Sequence, residues 1–125
     1  MGSVGSTKSI GITETRRILG DSANMRADDT FIKALANAQL EYNEDGEIRF
    51  KFAGTDKSTG KTVIKDITAY DKKQAQQDIR ANGFTIKRLY TNQVYNAIIN
   101  HSDGESWDYK DATKVDNALL KNRKR

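Results

Sequence analysis

The sequence predicts a small α+β domain, in which helices pack on one face of a three-stranded sheet in the order (α)-α-β-β-α-β-α-α. Its 125 residues suffice for one core and leave no room for two sizeable ones. Residues 48–52 carry apolar side chains at every second position, the spacing of a strand, and other stretches carry them at helical spacing. We expect a flexible Gly- and Ser-rich arm over residues 1–12, a single domain over residues 13–120 and a basic tail over residues 121–125.

The first predicted elements are helical. A short helix over residues 13–19, capped by Thr13, holds few apolar residues and therefore needs a partner surface. Asp28 and the two residues after it suit the start of a second helix, because acidic and hydroxyl side chains accept hydrogen bonds from the free amides there. Apolar residues then recur on one helical face over residues 31–40, and residues 43–46 form a turn.

A β-hairpin is predicted next. Over residues 48–52 the apolar side chains alternate with Arg49 and Lys51, which predicts a strand with one apolar and one basic face. A polar loop over residues 54–60 leads into a β-branched segment over residues 61–69. The alternation of this second strand is imperfect, which leaves open a bulge or a strand with apolar residues on both faces.

A helix, a third strand and two more helices complete the prediction. Asp71 and Gln74 have the spacing of a capping box, and Gly83 favours the end of that helix. A strand over residues 84–89 and a helix capped by Thr91 follow. If the second and third strands are parallel neighbours, the helix between them is a crossover. A loop then separates the last helix, which leads into the tail.

The composition excludes several classes of function. Without cysteine the chain has no disulfides, thiolate metal sites or cysteine nucleophiles. The single histidine, His101, excludes His-rich metal sites and has no evident carboxylate partner for general-base catalysis. No apolar run approaches the roughly 20 residues that span a bilayer, and residues 1–6 lack the apolar core of a secretory signal. We expect a cytoplasmic protein, with no cofactor or metal, that is not an enzyme; an activity that uses carboxylates alone stays open.

The formal net charge of +4 hides a segregated pattern. Residues 1–48 carry a net charge of −3, residues 49–90 carry +6, residues 91–120 carry −3 and residues 121–125 carry +4. A basic block of this kind attracts phosphates or an acidic protein surface. The alternative is a solvated surface with a frayed basic end.

Residues 54–62 imitate a phosphate-binding loop. Five residues separate Gly54 from Gly60, whereas the motif needs four. In addition, Lys61 and Thr62 lead into a strand instead of the helix whose amides would face the phosphate. A hairpin loop explains this segment better.

The basic residues of the strands and the hairpin form the first candidate site. A basic sheet can follow a phosphate backbone, and a ribbon of two or three strands can enter a major groove. The alternative is that lysines keep a small sheet soluble and prevent edge pairing. This basic sheet surface comprises Arg49, Lys51, Lys57, Lys61, Lys65, Lys87 and Arg88. The tail, which can bind phosphates or complement a helix end, adds Lys121, Arg123, Lys124 and Arg125.

Trp107, Asp108 and Tyr109 form a second candidate site, for a protein partner. Aromatic side chains dominate interface hot spots, and the surrounding segment is acidic, which suits a basic protein. The alternative is that Trp107 folds back onto the core.

The Gly-rich start over residues 1–6 and the segment over residues 67–86 resemble, in style, small accessory proteins of phages and mobile elements. The resemblance implies a binding protein of the host-cell cytoplasm, such as an anti-CRISPR-like inhibitor of a host defence nuclease, and it transfers no functional residue. From the charge pattern we expect a non-enzymatic binding module that engages nucleic acid or a ribonucleoprotein through the basic sheet surface. The alternative is a protein–protein interaction module such as that inhibitor.

Overall fold

The structure is a computed structural model that describes residues 5–20, 29–101 and 109–122, and it confirms the α+β class. The strands are β1 (Gly5–Ser6), β2 (Glu41–Tyr42), β3 (Ile48–Asp56), β4 (Thr62–Ala69) and β5 (Phe84–Thr91). The helices are α1 (Gly11–Leu19), α2 (Asp29–Ala36), α3 (Lys72–Ala81), α4 (Asn92–His101) and α5 (Tyr109–Lys121). The predicted order of elements therefore holds, with two very short strands added.

The described strands form one antiparallel sheet centred on β3. β4 pairs along one edge of β3 and β5 pairs along the other. The short strand β2 pairs with β3 at Ile48, and β1 pairs with β2. The prediction of three strands is therefore wrong in number, because two-residue strands leave no alternating pattern in the sequence. β4 and β5 are parallel but are not neighbours, so the α3 connection crosses β3.

Direct partners across an antiparallel pair share a face of the sheet. On one face Phe50 pairs with Ile67 of β4 and Phe52 pairs with Lys65. On the other face Lys51 pairs with Asp66, and the register of β4 against β3 is continuous from Ala69 to Thr62. The imperfect alternation of β4 thus reflects apolar residues on both faces, without a bulge in its pairing with β3.

A β-bulge lies instead in the pairing of β3 with β5. Ala53 pairs with Arg88 and Gly54 pairs with Ile86, so Lys87 has no direct partner on β3. Here β5 approaches so closely that a Cβ added to Gly54 would lie 2.0 Å from the backbone carbonyl oxygen of Thr85. The close approach of the two backbones explains a glycine inside a strand.

The predicted N-terminal arm differs from the structure from Gly5 onward. Gly5–Ser6 pairs with Glu41–Tyr42, and the next residue, Thr7, is buried. The backbone N–H of Thr7 donates to the carbonyl oxygen of Leu40 at 2.7 Å, and the Thr7 hydroxyl accepts from the N–H of Leu40 at 2.7 Å. This pairing joins residues 33 apart in the sequence, which local composition does not indicate.

Helix α3 is bounded as the sequence predicts. The carboxylate of Asp71 accepts the N–H of Gln74 at 2.8 Å, and the side chain of Gln74 accepts the N–H of Tyr70 at 3.0 Å. These bonds satisfy backbone amides at the start of the helix. Gly83 follows the helix with a φ of 90°, the left-handed conformation that favours glycine.

All five described helices contribute to one apolar core beneath the sheet. Burial is one-sided along β4, because Ile64 on the Lys51 face is 58% exposed. Burial is not confined to the Phe50 face, because Tyr90 and Ala53 on the Lys51 face are also buried. The largest fully buried apolar side chains are Phe31, Phe50, Ile32, Leu35, Leu40, Ile48, Ile79, Leu119, Val94 and Val115.

Asp116 of α5 is a buried carboxylate whose hydrogen bonds join three elements. Its Oδ1 accepts from the hydroxyl of Thr91 at 2.6 Å and from the backbone N–H of Thr91 at 3.1 Å. Its Oδ2 lies 2.7 Å from Nζ of Lys72. Because a buried charge is tolerated only when it is paired and hydrogen-bonded, these contacts fix α5 against the end of β5 and the start of α3.

We expect the substitution Asp116→Ala to lower the free energy of unfolding by about 3 kcal/mol, because it removes the acceptor of the buried Thr91 amide and the carboxylate partner of Lys72. Urea denaturation measures this change. Asp116→Asn keeps an acceptor for Thr91 and should lose less. Glu44→Ala, at an exposed turn, is the control. A loss for Asp116→Ala no larger than that of the control would contradict the anchoring role.

Candidate nucleic-acid interface

The structure divides the basic sheet surface between the two faces of the sheet. Arg49, Lys51 and Arg88 lie on one face, as their strand partners show. Arg49 is exposed. Lys51 is largely engaged, because its Nζ lies 3.3 Å from Oδ1 of Asn96 and 3.8 Å from Oδ1 of Asp66. The positive charge available on this face is therefore smaller than the sequence suggests.

Lys65 lies on the opposite face, so the expectation of a single basic face is wrong for this residue. It pairs with Phe52, and its Nζ lies 5.4 Å from the centre of the Phe84 ring. The reason is the period of a strand, since successive residues point to opposite faces. Lys87 is exposed at the bulge and has no direct partner on β3.

Lys57 and Lys61 are exposed at the tip of the β3–β4 hairpin. Oδ1 of Asp56 accepts the hydroxyl of Ser58 at 2.7 Å and the N–H of Ser58 at 2.9 Å. These bonds lower the pKa of Asp56, and the bond from the Ser58 hydroxyl has the larger effect. The N–H of Lys57 donates to the carbonyl oxygen of Gly83 at 2.9 Å, which ties the tip to the turn after α3.

Part of the predicted site lies outside the described residues. Lys121, from the predicted tail, is the exposed last residue of α5. For Tyr109 the structure gives only its place as the first residue of α5. The predicted site residues outside the described ranges are Trp107, Asp108, Arg123, Lys124 and Arg125.

A groove of about 770 Å³ lies between α1, the segment before it and the second half of α5. We call it the basic groove, because Lys8, Arg17, Lys114 and Lys121 line it together with one carboxylate, Glu14. These charged side chains give the described lining a formal charge of +3. In the sequence, three more cations follow directly after the last lining residue.

Contacts with the core and one hydrogen bond hold the walls of the groove in place. Ile10 and Ile18 are lining residues that also pack against the core. The side-chain amide of Asn122 donates to the carbonyl oxygen of Lys8 at 3.3 Å, which joins α5 to the segment before α1. Asn117 adds a carboxamide group, which can donate hydrogen bonds to an anionic ligand.

Arg17 and Glu14 form a bidentate ion pair within the groove. Nε of Arg17 donates to Oε1 of Glu14 at 2.8 Å, and Nη2 of Arg17 donates to Oε2. The hydrogen bond from Arg17 lowers the pKa of Glu14, and the same bond raises the pKa of Arg17. Both groups stay charged at neutral pH and offset one another, so the excess charge comes from the three lysines.

Sequence reasoning identified Lys121 and missed Lys8, Arg17 and Lys114. These three lie in segments that carry a net negative charge, so segment charges conceal them. One signal was present: Lys114 and Lys121 are seven residues apart, which places them on the same side of a helix. Nothing local in the sequence indicates that α1 packs beside that face.

The arrangement suits recognition of a polyanion. Several ammonium groups around an open groove attract phosphates and can follow a chain of them. In the three ranges that the structure describes, no group of three or more metal-ligating side chains is placed to hold a metal ion. No helix within those ranges is long and apolar enough to cross a membrane.

Comparison with known proteins found no match to a family model, to a curated protein or to a solved structure. The resemblance to phage accessory proteins stays a prediction.

The hairpin tip should stabilise the fold in a pH-dependent way. Because the folded pKa of Asp56 lies below its ordinary value of 3.8, its contribution is present above that pH and is lost as the pH falls through the folded pKa. We therefore expect Asp56→Ala to melt at a lower temperature than the natural chain at pH 7, and the difference to shrink at pH values below 3.8. Thermal melts across this range measure it, and Ser58→Ala should behave alike. A difference that does not change with pH would contradict this account.

Proposed function

We propose that the protein is a non-enzymatic module that binds nucleic acid by its phosphates, with the basic groove as the main contact. One observation carries this proposal: four cations from three separate segments of the chain surround one groove, and the described lining of that groove holds a single carboxylate. Like charges that are brought together repel one another, so a fold that gathers them gains most from a polyanionic ligand.

The groove is favoured over the basic sheet surface for two reasons. On the sheet, Lys51 is engaged by Asn96 and Asp66, and Lys65 lies on the other face. In the groove the one carboxylate is already held by Arg17, which leaves Lys8 and Lys121 exposed beside it. Charge-assisted contacts to phosphate release counterions and need no particular base sequence.

We propose both a class of partner and a location for the protein. The partner is a nucleic acid or the nucleic-acid part of a ribonucleoprotein, and the location is the cytoplasm. The cations that follow Asn122 in the sequence would extend the phosphate contacts beyond the described groove.

The variant Lys8→Gln/Lys121→Gln tests the groove. Both lysines are exposed, so the fold should persist while two phosphate contacts are lost. Fluorescence anisotropy with single-stranded and duplex oligonucleotides, at about 50 mM and about 200 mM salt, should show weaker binding and a log–log salt slope reduced by about 2. The charge-matched control is Lys33→Gln/Lys73→Gln, two exposed lysines on α2 and α3 outside the groove, which should bind normally.

The variant Lys57→Gln/Lys61→Gln tests the hairpin surface by the same titration. If the groove is the main contact, this variant loses less affinity than the groove variant. A larger loss for the hairpin variant would reject the groove in favour of the basic sheet surface. Absence of salt-sensitive binding at micromolar concentration would reject nucleic-acid binding altogether.

A further inference from the structure

A second concave site lies between α2 and α4 and has a different chemistry. This recess is open to solvent and has a volume of about 460 Å³. Three alanines and five carboxamide side chains line it, and its described lining holds no charged residue. We call it the amide recess; its carboxamides belong to Asn37, Gln39, Gln93, Asn96 and Asn100.

The helices bring these carboxamides together. Gln93, Asn96 and Asn100 occupy one side of α4 at spacings of three and four residues, while Val94 and Ile98 are buried in the core. Asn37 and Gln39 follow the last residue of α2, which packs beside α4. The concentration of carboxamides therefore arises from two segments more than 50 residues apart in the sequence.

Carboxamides select a particular kind of ligand. Each presents N–H donors beside a carbonyl acceptor and carries no charge. The edge of an adenine offers the complementary pair, the N6 amino group and the N7 acceptor, and Asn or Gln contacts both at once. The same edge of guanine, the Hoogsteen edge, presents two acceptors, N7 and O6, and favours Arg or Lys, neither of which lines the described recess.

One hydrogen bond connects the recess to a cation. Nζ of Lys51 donates to Oδ1 of Asn96 at 3.3 Å. That bond uses one of the two lone pairs of the Asn96 carbonyl oxygen, so the carboxamide can still accept one hydrogen bond and donate from its NH2 group. The bond also places the ammonium group of Lys51, which Asp66 engages as well, next to the recess.

We propose that the amide recess binds an unpaired nucleobase, with adenine preferred. The inference rests on the proposed function for the source of its ligand, a single-stranded nucleic acid. It adds a base contact to a protein whose groove contacts phosphates only.

Adenosine, which carries no phosphate, is the direct probe. Titration into the ¹⁵N-labelled full chain should shift the side-chain amide signals of the recess in NMR spectra. Purine riboside has the same ring system without the N6 amino group, so it should bind about 5- to 150-fold more weakly, the discrimination that one bidentate contact provides. Gln93→Ala/Asn100→Ala should remove the preference for adenosine, and its backbone spectrum shows whether the fold persists.

The groove variant Lys8→Gln/Lys121→Gln separates the two proposals. It should bind adenosine normally, because neither lysine lines the recess. Equal binding of adenosine and purine riboside, or no shift of the recess amides at millimolar adenosine, would overturn the base site and leave phosphate binding by the groove standing. If oligonucleotide affinity is insensitive to the groove variant while adenosine still shifts the recess amides, the phosphate proposal fails and the base site stands.

Discussion

The buried carboxylate of Asp116 is the constraint on which the arrangement of the described elements depends. Its two oxygens accept from Thr91 at the end of β5 and from Lys72 at the start of α3. A carboxylate without exposed surface needs all of these partners, so the last helix, the sheet and the crossover helix are held in one geometry. The next residue, Asn117, lines the basic groove and also accepts from Lys72 at 3.0 Å. Lys72 therefore contacts both the buried carboxylate of Asp116 and Asn117, a residue that lines the proposed binding surface.

The fold was predictable where the signals are local. The capping residues Asp71 and Gln74, the stop at Gly83 and the alternation over residues 48–52 each reflect contacts within a few residues, and each is confirmed. The pairing of Gly5–Ser6 with β2 was not predictable, because a two-residue strand carries no periodic pattern and its partner is distant in the sequence. The position of β3 between β4 and β5 was not predictable either, because it depends on pairing between segments that are distant in the sequence.

The candidate site was less predictable than the fold, for a physical reason. Electrostatic potential depends on distances in space, and summing charges along a sequence treats chain neighbours as spatial neighbours. Lys8 and Lys114 belong to segments of net charge −3, yet they line one groove with Lys121. Conversely, Lys51 and Lys65 belong to the most basic segment and lie on opposite faces of the sheet.

The hydrogen bond between Asn122 and the carbonyl oxygen of Lys8 closes a loop of 114 residues. During synthesis the two sides of the basic groove cannot meet until Asn122 has left the ribosome, whereas the β3–β4 hairpin can pair much earlier. The chain-closure entropy of that contact is among the largest in the fold, since it grows with the length of the loop. The walls of the basic groove therefore come from the two ends of the described chain, and the groove exists only when α1 and α5 are both packed in place.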